Sequence, residues 1–356
     1  MAELYGKRYT RKELLKRIGN MSQIGGIREY VYDAERARGV KAVGIDTGPL
    51  RFETLPSRCL DVSYASYKGV PFAYIAKSGL RHPAFFSKVD PGGFADNFCA
   101  GVLTTCGLEN IGGPSVSNGK KHELHGEIAN MPAGLVAVSQ EWEGDDLVYS
   151  VSGEIRHSRF YGEDTVLKRK ISAKLGASSF TIEDEVENQD FAPALCLLLY
   201  HANFGFPFVD VSTRLITSPR VKSEARPGVP PERAAKFAVF EEPKDGEQEV
   251  CIYHTFKPDA DGFAAACLFN PDLGERGMGA YVRWDTATLP CFVQWKMMRS
   301  REYVCGLEPG SAWLENRDQS VLDANTLQPL QKRRFRLEIG VIEGEDECRR
   351  FVGAED

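Results

Sequence analysis

The chain has 356 residues, 42% hydrophobic and 26% charged, the composition of a soluble globular protein with a large core. Its net charge of −6 argues against a nucleic-acid backbone as partner, because such binding rests on clustered Lys and Arg. The short basic groups Lys120-Lys121 and Lys332-Arg333-Arg334 read as solvated surface. Nine cysteines with no CxxC pair, an odd number in a chain this long, point to reduced thiols instead of a disulfide framework. Met1 to Asn20 is polar and charged, so no signal peptide and no membrane partner are expected, and the expected location is cytoplasmic.

Residues 1–40 read as a lead-in to one large domain. Thr10 to Gly19 predicts a short helix, capped by Thr10, striped by Leu14, Leu15 and Ile18, and ended by Gly19. After it the helical period disappears. Leu147, Tyr149, Val151 and Ile155 share one strand face. Phe180, Ile182 and Val186 share another, and so do Phe335, Leu337, Ile339 and Val341. Val166–Ile171, Val250–Phe256, Phe263–Phe269, Tyr281–Trp284 and Cys291–Met298 are further strand candidates. The pattern is all-β and mostly antiparallel, with sheets stacked face to face. Residues 227–235, with three prolines, read as a surface loop, and residues after Cys348 are expected to fray.

Five stretches carry chemistry. Arg58 lies between a proline turn and an apolar strand, where it either pairs with Asp61 or aims a guanidinium fork into a cleft. Gly101 to Ala133 is rich in Gly, Asn and Ser and reads mostly as loop. Its His122 and His125 lack a third ligand at a recognised spacing, so no metal is expected. Gly113 to Lys120 departs from a phosphate-binding loop in glycine spacing and in having Lys121 where Ser or Thr belongs. Ala192 to Leu199 is the most apolar run, too short for a bilayer and suited to a doubly buried strand. It leads into Tyr200-His201-Ala202-Asn203-Phe204-Gly205-Phe206-Pro207, which places His201 and Asn203 on one face. Gln294 and Lys296 share a side with Trp295 opposite, and Trp295 reads as core. Glu308 follows an apolar strand and precedes Pro309-Gly310.

Together these stretches resemble a known family. Leu124-His125-Gly126, Tyr200 to Pro207 and Gly306-Leu307-Glu308-Pro309-Gly310 occur in the order seen in aldose 1-epimerases, the galactose mutarotases. LTTCGLENIGGP, LHGEIANMPA and QWKMM are similar to motifs of a divergent bacterial branch of aldose-1-epimerase-like proteins. The likeness runs from Leu50 to Ile342. It implies a galactose mutarotase-like β-supersandwich and anomer interconversion of a hexose or hexose derivative by general acid–base ring opening. By the resemblance Glu308 is the base, His201 the acid and His125 a second active-site histidine. It also makes Arg58 a substrate-holding residue, and it requires no metal or organic cofactor. Asn203, Gln294 and Lys296 are added from strand geometry and the branch motif, and a carboxylate near His201 is expected to favour its protonated form.

Two positions depart from the family pattern. Tyr200 stands where asparagine usually precedes the acid histidine, and Glu127 replaces the second glycine of LHGG. Lys296 in the pocket would select an anionic sugar. A non-catalytic carbohydrate-binding protein and an isomerase acting at another carbon are the competing readings. The expected partner is a small sugar, and the expected state is a monomer or homodimer.

Overall fold

The computed structural model describes residues 1–87, 93–117, 120–219, 221–315 and 318–354. Three antiparallel sheets dominate. In spatial order the largest contains Ala133–Glu143, Asp146–Ser158, Asp164–Lys174, Ser179–Asn188, Lys332–Glu343, Met278–Asp285, Phe263–Asn270 and Arg214–Thr217. A six-stranded sheet runs Lys222–Ala225, Val250–Thr255, Cys291–Arg299, Glu302–Gly310, Leu197–Gly205, Leu103–Leu108. A five-stranded sheet spans Gly26–Val31 to Val70–Pro71. This is the all-β supersandwich that the alternating segments and the resemblance imply. Every strand predicted from alternation forms; most run one to three residues further at an end, because backbone pairing continues past the last apolar side chain, and Val250–Thr255 stops one residue short of Phe256.

Period-two patterning explains the layers. Strand Asp146–Ser158 alternates buried and part-exposed residues along nearly its whole length, so one face seals the core. Leu197–Gly205 is buried at every position because it lies between two strands and under two layers. One apolar cluster includes residues from all three sheets. Phe52 stacks on Phe180 at 4.5 Å between the five- and eight-stranded sheets, and Trp284 on Phe292 at 4.5 Å between the eight- and six-stranded sheets.

One buried ion network ties these layers together. Arg169 grips Asp184 with two hydrogen bonds, at 2.9 and 2.7 Å, and reaches Asp61 of the five-stranded sheet at 3.0 Å. Tyr200, in the six-stranded sheet, donates its hydroxyl to Asp184 at 2.7 Å. Thr105, paired with Tyr200 across the sheet, donates its backbone N–H and its hydroxyl to Asp61.

Several expectations are corrected. Helix Arg11–Leu15 is shorter than predicted, although Thr10 and Glu13 form the reciprocal cap that starts it. The stretch from Gly101 is not loop at its start, since Leu103–Leu108 is an entirely buried strand, disguised by its threonines and glycine. Within the rejected phosphate-loop stretch, residues 118–119 lie outside the described residues. The described residues after Cys348 do not fray: helix Glu345–Val352 buries Cys348 and Val352 against the eight-stranded sheet. The Pro-rich segment holds a short helix, Pro231–Ala234. All nine cysteines are free and buried. No helix of the described residues is long and apolar enough to cross a membrane.

The network yields a stability prediction. Asp184→Asn removes a carboxylate from a buried guanidinium and should cost about 3–5 kcal/mol in urea unfolding. Tyr200→Phe removes one hydroxyl donor and should cost less, about 1.5–3 kcal/mol. An Asp184→Asn loss below that of Tyr200→Phe would contradict the role given to the ion pair.

Candidate active site

The six-stranded sheet forms the floor of a cavity of about 430 Å³. The register that sets Ala202 against Leu307 places His201 across from Glu308, with His201 Nε2 at 3.3 Å from Glu308 Oε1. The next strand pairs Trp295 with Gly306 and brings the indole to the same surface. Gly306 makes room for the carboxylate, because a Cβ there would lie 2.3 Å from Glu308 Oε1.

His125 arrives from a loop. Its backbone is left-handed, and it is held by hydrogen bonds from its N–H to Gly112 O and from Gly107 N–H to its carbonyl. Gly126 beside it has no alternative, since a Cβ would meet Gly107 O at 2.2 Å. The Gly112 N–H donates to His125 Nδ1 at 3.3 Å, which assigns the proton of the neutral ring to Nε2. The rings of His125 and His201 stand 5.5 Å apart, and His201 also meets Trp295 at 5.3 Å and Phe98 at 5.5 Å.

Burial sets the protonation. It lowers His201 to about 4, against an opposing pull from Asn203, and it lowers His125 well below the usual histidine value. It raises Glu308 well above the usual carboxylate value, helped by the nearby Glu249 charge and opposed by Arg226. The 3.3 Å spacing would suit an ion pair, but desolvation of two buried charges outweighs their attraction in the free cavity. The pair is therefore neutral, with the proton on Glu308. This corrects the expectation of a protonated His201. One proton donor and one acceptor remain side by side in either arrangement.

The remaining expected binding residues do not reach the cavity. Arg58 is buried and donates to the carbonyls of Arg81 and Asn97, so it braces the backbone beside the wall residues Ala76 to Ser78, Phe94 and Phe98. Asn203 shares the His201 face but is fully buried outside the cavity lining, its Nδ2 donating to the carbonyls of Gly101 and His201. Gln294 and Lys296 do share a side, opposite the cavity. Gln294 bonds Phe237 O and His254, and Lys296 bonds the carbonyls of Lys236 and Val239. Alternation ties the two together but does not say which face is outward. Trp295, read as core, lines the cavity together with Met297 of the same strand.

Sequence reasoning missed Arg226, Glu249, Phe94 and Phe98, all at the cavity. Arg226 pairs with Glu315 and Glu249, and Trp295 donates its indole N–H to Glu249 at 2.9 Å. Lys77 at the rim pairs with Glu302. No motif announces these residues, because four separate segments supply them.

Several solved structures share this architecture. A candidate aldose 1-epimerase from Klebsiella pneumoniae subsp. pneumoniae superposes with a TM-score of 0.84, at 21% identity, covering 94% of this chain and 89% of that one. A galactose mutarotase-like protein from Clostridium acetobutylicum gives 0.59 at 16% identity, covering 90% and 99%. Galactose 1-epimerase from Lactobacillus acidophilus gives 0.58 at 12% identity, covering 90% and 100%. At these identities the likeness establishes the fold, that of galactose mutarotase-like proteins. No curated protein matches the chain. One family model spans residues 37–341, which include His125, His201, Trp295 and Glu308, and the chain thereby belongs to the DUF4432 family, described as a domain of unknown function.

Proposed function

We propose that the protein is an aldose 1-epimerase-like enzyme that interconverts the anomers of a neutral hexose. The observation that carries this is the buried His201–Glu308 pair, 3.3 Å apart on the floor of an aromatic-walled cavity. Ring opening needs a base for the C1 hydroxyl proton and an acid for the ring oxygen at once. Passage of the Glu308 proton to His201 gives a carboxylate and an imidazolium, the two groups required. Glu308 takes the hydroxyl proton as the C1–ring-oxygen bond breaks, and His201 protonates the released oxygen. Rotation about C1–C2 and the reverse transfers close the ring on the other face. His125, a fixed Nε2–H donor, polarises the ring oxygen. No electron is gained or lost, so the cycle balances on the pair's single proton.

The choice of a neutral sugar rests on charge. Lys296, the basis for expecting an anion, bonds backbone carbonyls on the far side of the sheet. Arg226 and Lys77 are each paired with a carboxylate. Carboxylate–guanidinium pairs offer donors and acceptors to vicinal hydroxyls, and Trp295 offers an apolar wall.

Anomer exchange measured by NMR or polarimetry on a sugar panel tests the reading. Glu308→Gln and His201→Asn should each lower kcat about 10²–10⁴-fold, the usual share of general acid–base help. Sugar binding without faster exchange in the unaltered protein would make it a binding protein.

The pH profile has a defined sign. Below about pH 4 His201 and Glu308 both hold protons, so the base is lost. Above the raised Glu308 value both are deprotonated, so the acid is lost. kcat/KM should stay flat from about pH 5 through neutrality and fall on each side. An acid limb near the ordinary histidine value would rule out the neutral pair.

Substitutions on the two faces of strand Cys291–Arg299 should separate. Trp295→Ala should raise KM about tenfold or more, as loss of a stacked wall of roughly 1.4 kcal/mol implies. Lys296→Met should leave the ratio of neutral to anionic sugar turnover unchanged. A shift in that ratio would return Lys296 to the pocket.

A further inference from the structure

A second cluster lies behind the His125 loop. A cavity of about 390 Å³ is lined by Glu109, His122, Glu127 and His157, and Glu163 adjoins it. Ligand atoms of Glu109, Glu127 and His157 lie within 4.8 Å of one another. His157 is 1% exposed, yet neither of its ring nitrogens has a hydrogen-bond partner. A buried neutral imidazole always carries one N–H and one lone pair, so leaving both unused is costly.

We propose that this cluster is a site for one divalent transition-metal ion. His157, Glu127 and Glu109 are the ligands, and His122 stands behind Glu109, its Nδ1 3.4 Å from Oε2.

The spacing fits an ion better than it fits hydrogen bonds. His157 Nε2 stands 3.4 Å from Glu127 Oε1. Good N–H···O bonds are shorter, about 2.7–3.2 Å. Two ligands each about 2.1 Å from a tetrahedral zinc ion stand about 3.4 Å apart.

Glu109, Glu127 and Glu163 gather three carboxylates around Arg159 and Lys120. Both cations are long and about a third exposed, so they can swing away, whereas His157 and Glu127 are fixed by burial. Imidazole with carboxylate selects zinc or manganese over magnesium, which prefers oxygen alone.

No spacing rule could have found the site. His122 and His125 looked like a pair, but they diverge, His125 to the sugar cavity and His122 to this one. The ligands come from the end of strand Leu103–Leu108, from Glu127 in the glycine's place of LHGG, and from strand Asp146–Ser158. An ion here would hold the His122–Glu127 segment at Glu127 directly and at His122 through Glu109, with His125 between.

The test is calorimetric titration of tag-free, chelator-treated full chain with Zn²⁺ and Mn²⁺, and with Mg²⁺ for comparison. The expected result is saturable uptake of one Zn²⁺ or Mn²⁺ per chain, with Mg²⁺ much weaker. Glu127→Gln and Glu109→Gln, close in shape and independent of any His157 folding defect, should each weaken it tenfold or more. Arg159→Met should tighten it, because a competing cation is gone. No saturable Zn²⁺ or Mn²⁺ uptake below about 1 mM overturns the proposal. So does unchanged affinity in both glutamate variants. A purely structural ion-pair cluster would lose melting temperature in Arg159→Met with no recovery on adding Zn²⁺, and that result also overturns it.

Discussion

The buried guanidinium of Arg169 is the constraint on which the arrangement depends. It has no exposure, so each of its N–H groups must find an acceptor inside the protein. Asp184 and Asp61 supply them from different sheets, and Tyr200 joins through Asp184. Hydrophobic packing alone tolerates small slips between layers. An ion pair with fixed fork geometry does not, because misalignment leaves a buried charge unpaired. Tyr200 thus fixes how strand Leu197–Gly205 is turned. With Tyr200 pointing into the core, His201, its neighbour, must point out to the cavity. The tyrosine that departs from the family pattern is the residue that aims the histidine.

The same low dielectric that strengthens this network sets the chemistry above it. Glu308 and His201 are buried as deeply as core residues, and desolvation moves their proton affinities in opposite directions. At their ordinary values Glu308 would be a carboxylate near neutral pH and His201 would titrate just below it. In the cavity the pair is neutral and holds one proton that can be passed. A pair in that state can serve as donor or acceptor at either oxygen, the reversibility that the proposed ring opening and closing demand.

The architecture was legible because period-two alternation reports burial directly. Phe180-x-Ile182 and Phe335-x-Leu337-x-Ile339 needed no partner to be recognised as strands. Leu103–Leu108 and the C-terminal helix were not legible: the first hides behind threonines and glycine, and the second is polar except where Cys348, Phe351 and Val352 meet the sheet. The site was legible where residues lie within one motif, as with His125, His201 and Glu308. It failed where direction mattered. Gln294 and Lys296 were correctly placed on one side of their strand, but the cavity lies on the other, with Trp295. Arg58 had the chemistry of a clamp and is used as a brace.

The sequence by itself determined the all-β class, most strand positions, and the three titratable residues that converge, since each follows from local pattern or motif. The tertiary structure decided which face of each strand is inward, which charges are paired, and how far burial moves each proton. Those depend on neighbours distant in the chain: Asp184 against Tyr200, Glu249 against Arg226, His201 beside Glu308. Register brings such residues together, and register is a property of paired strands that no single strand carries.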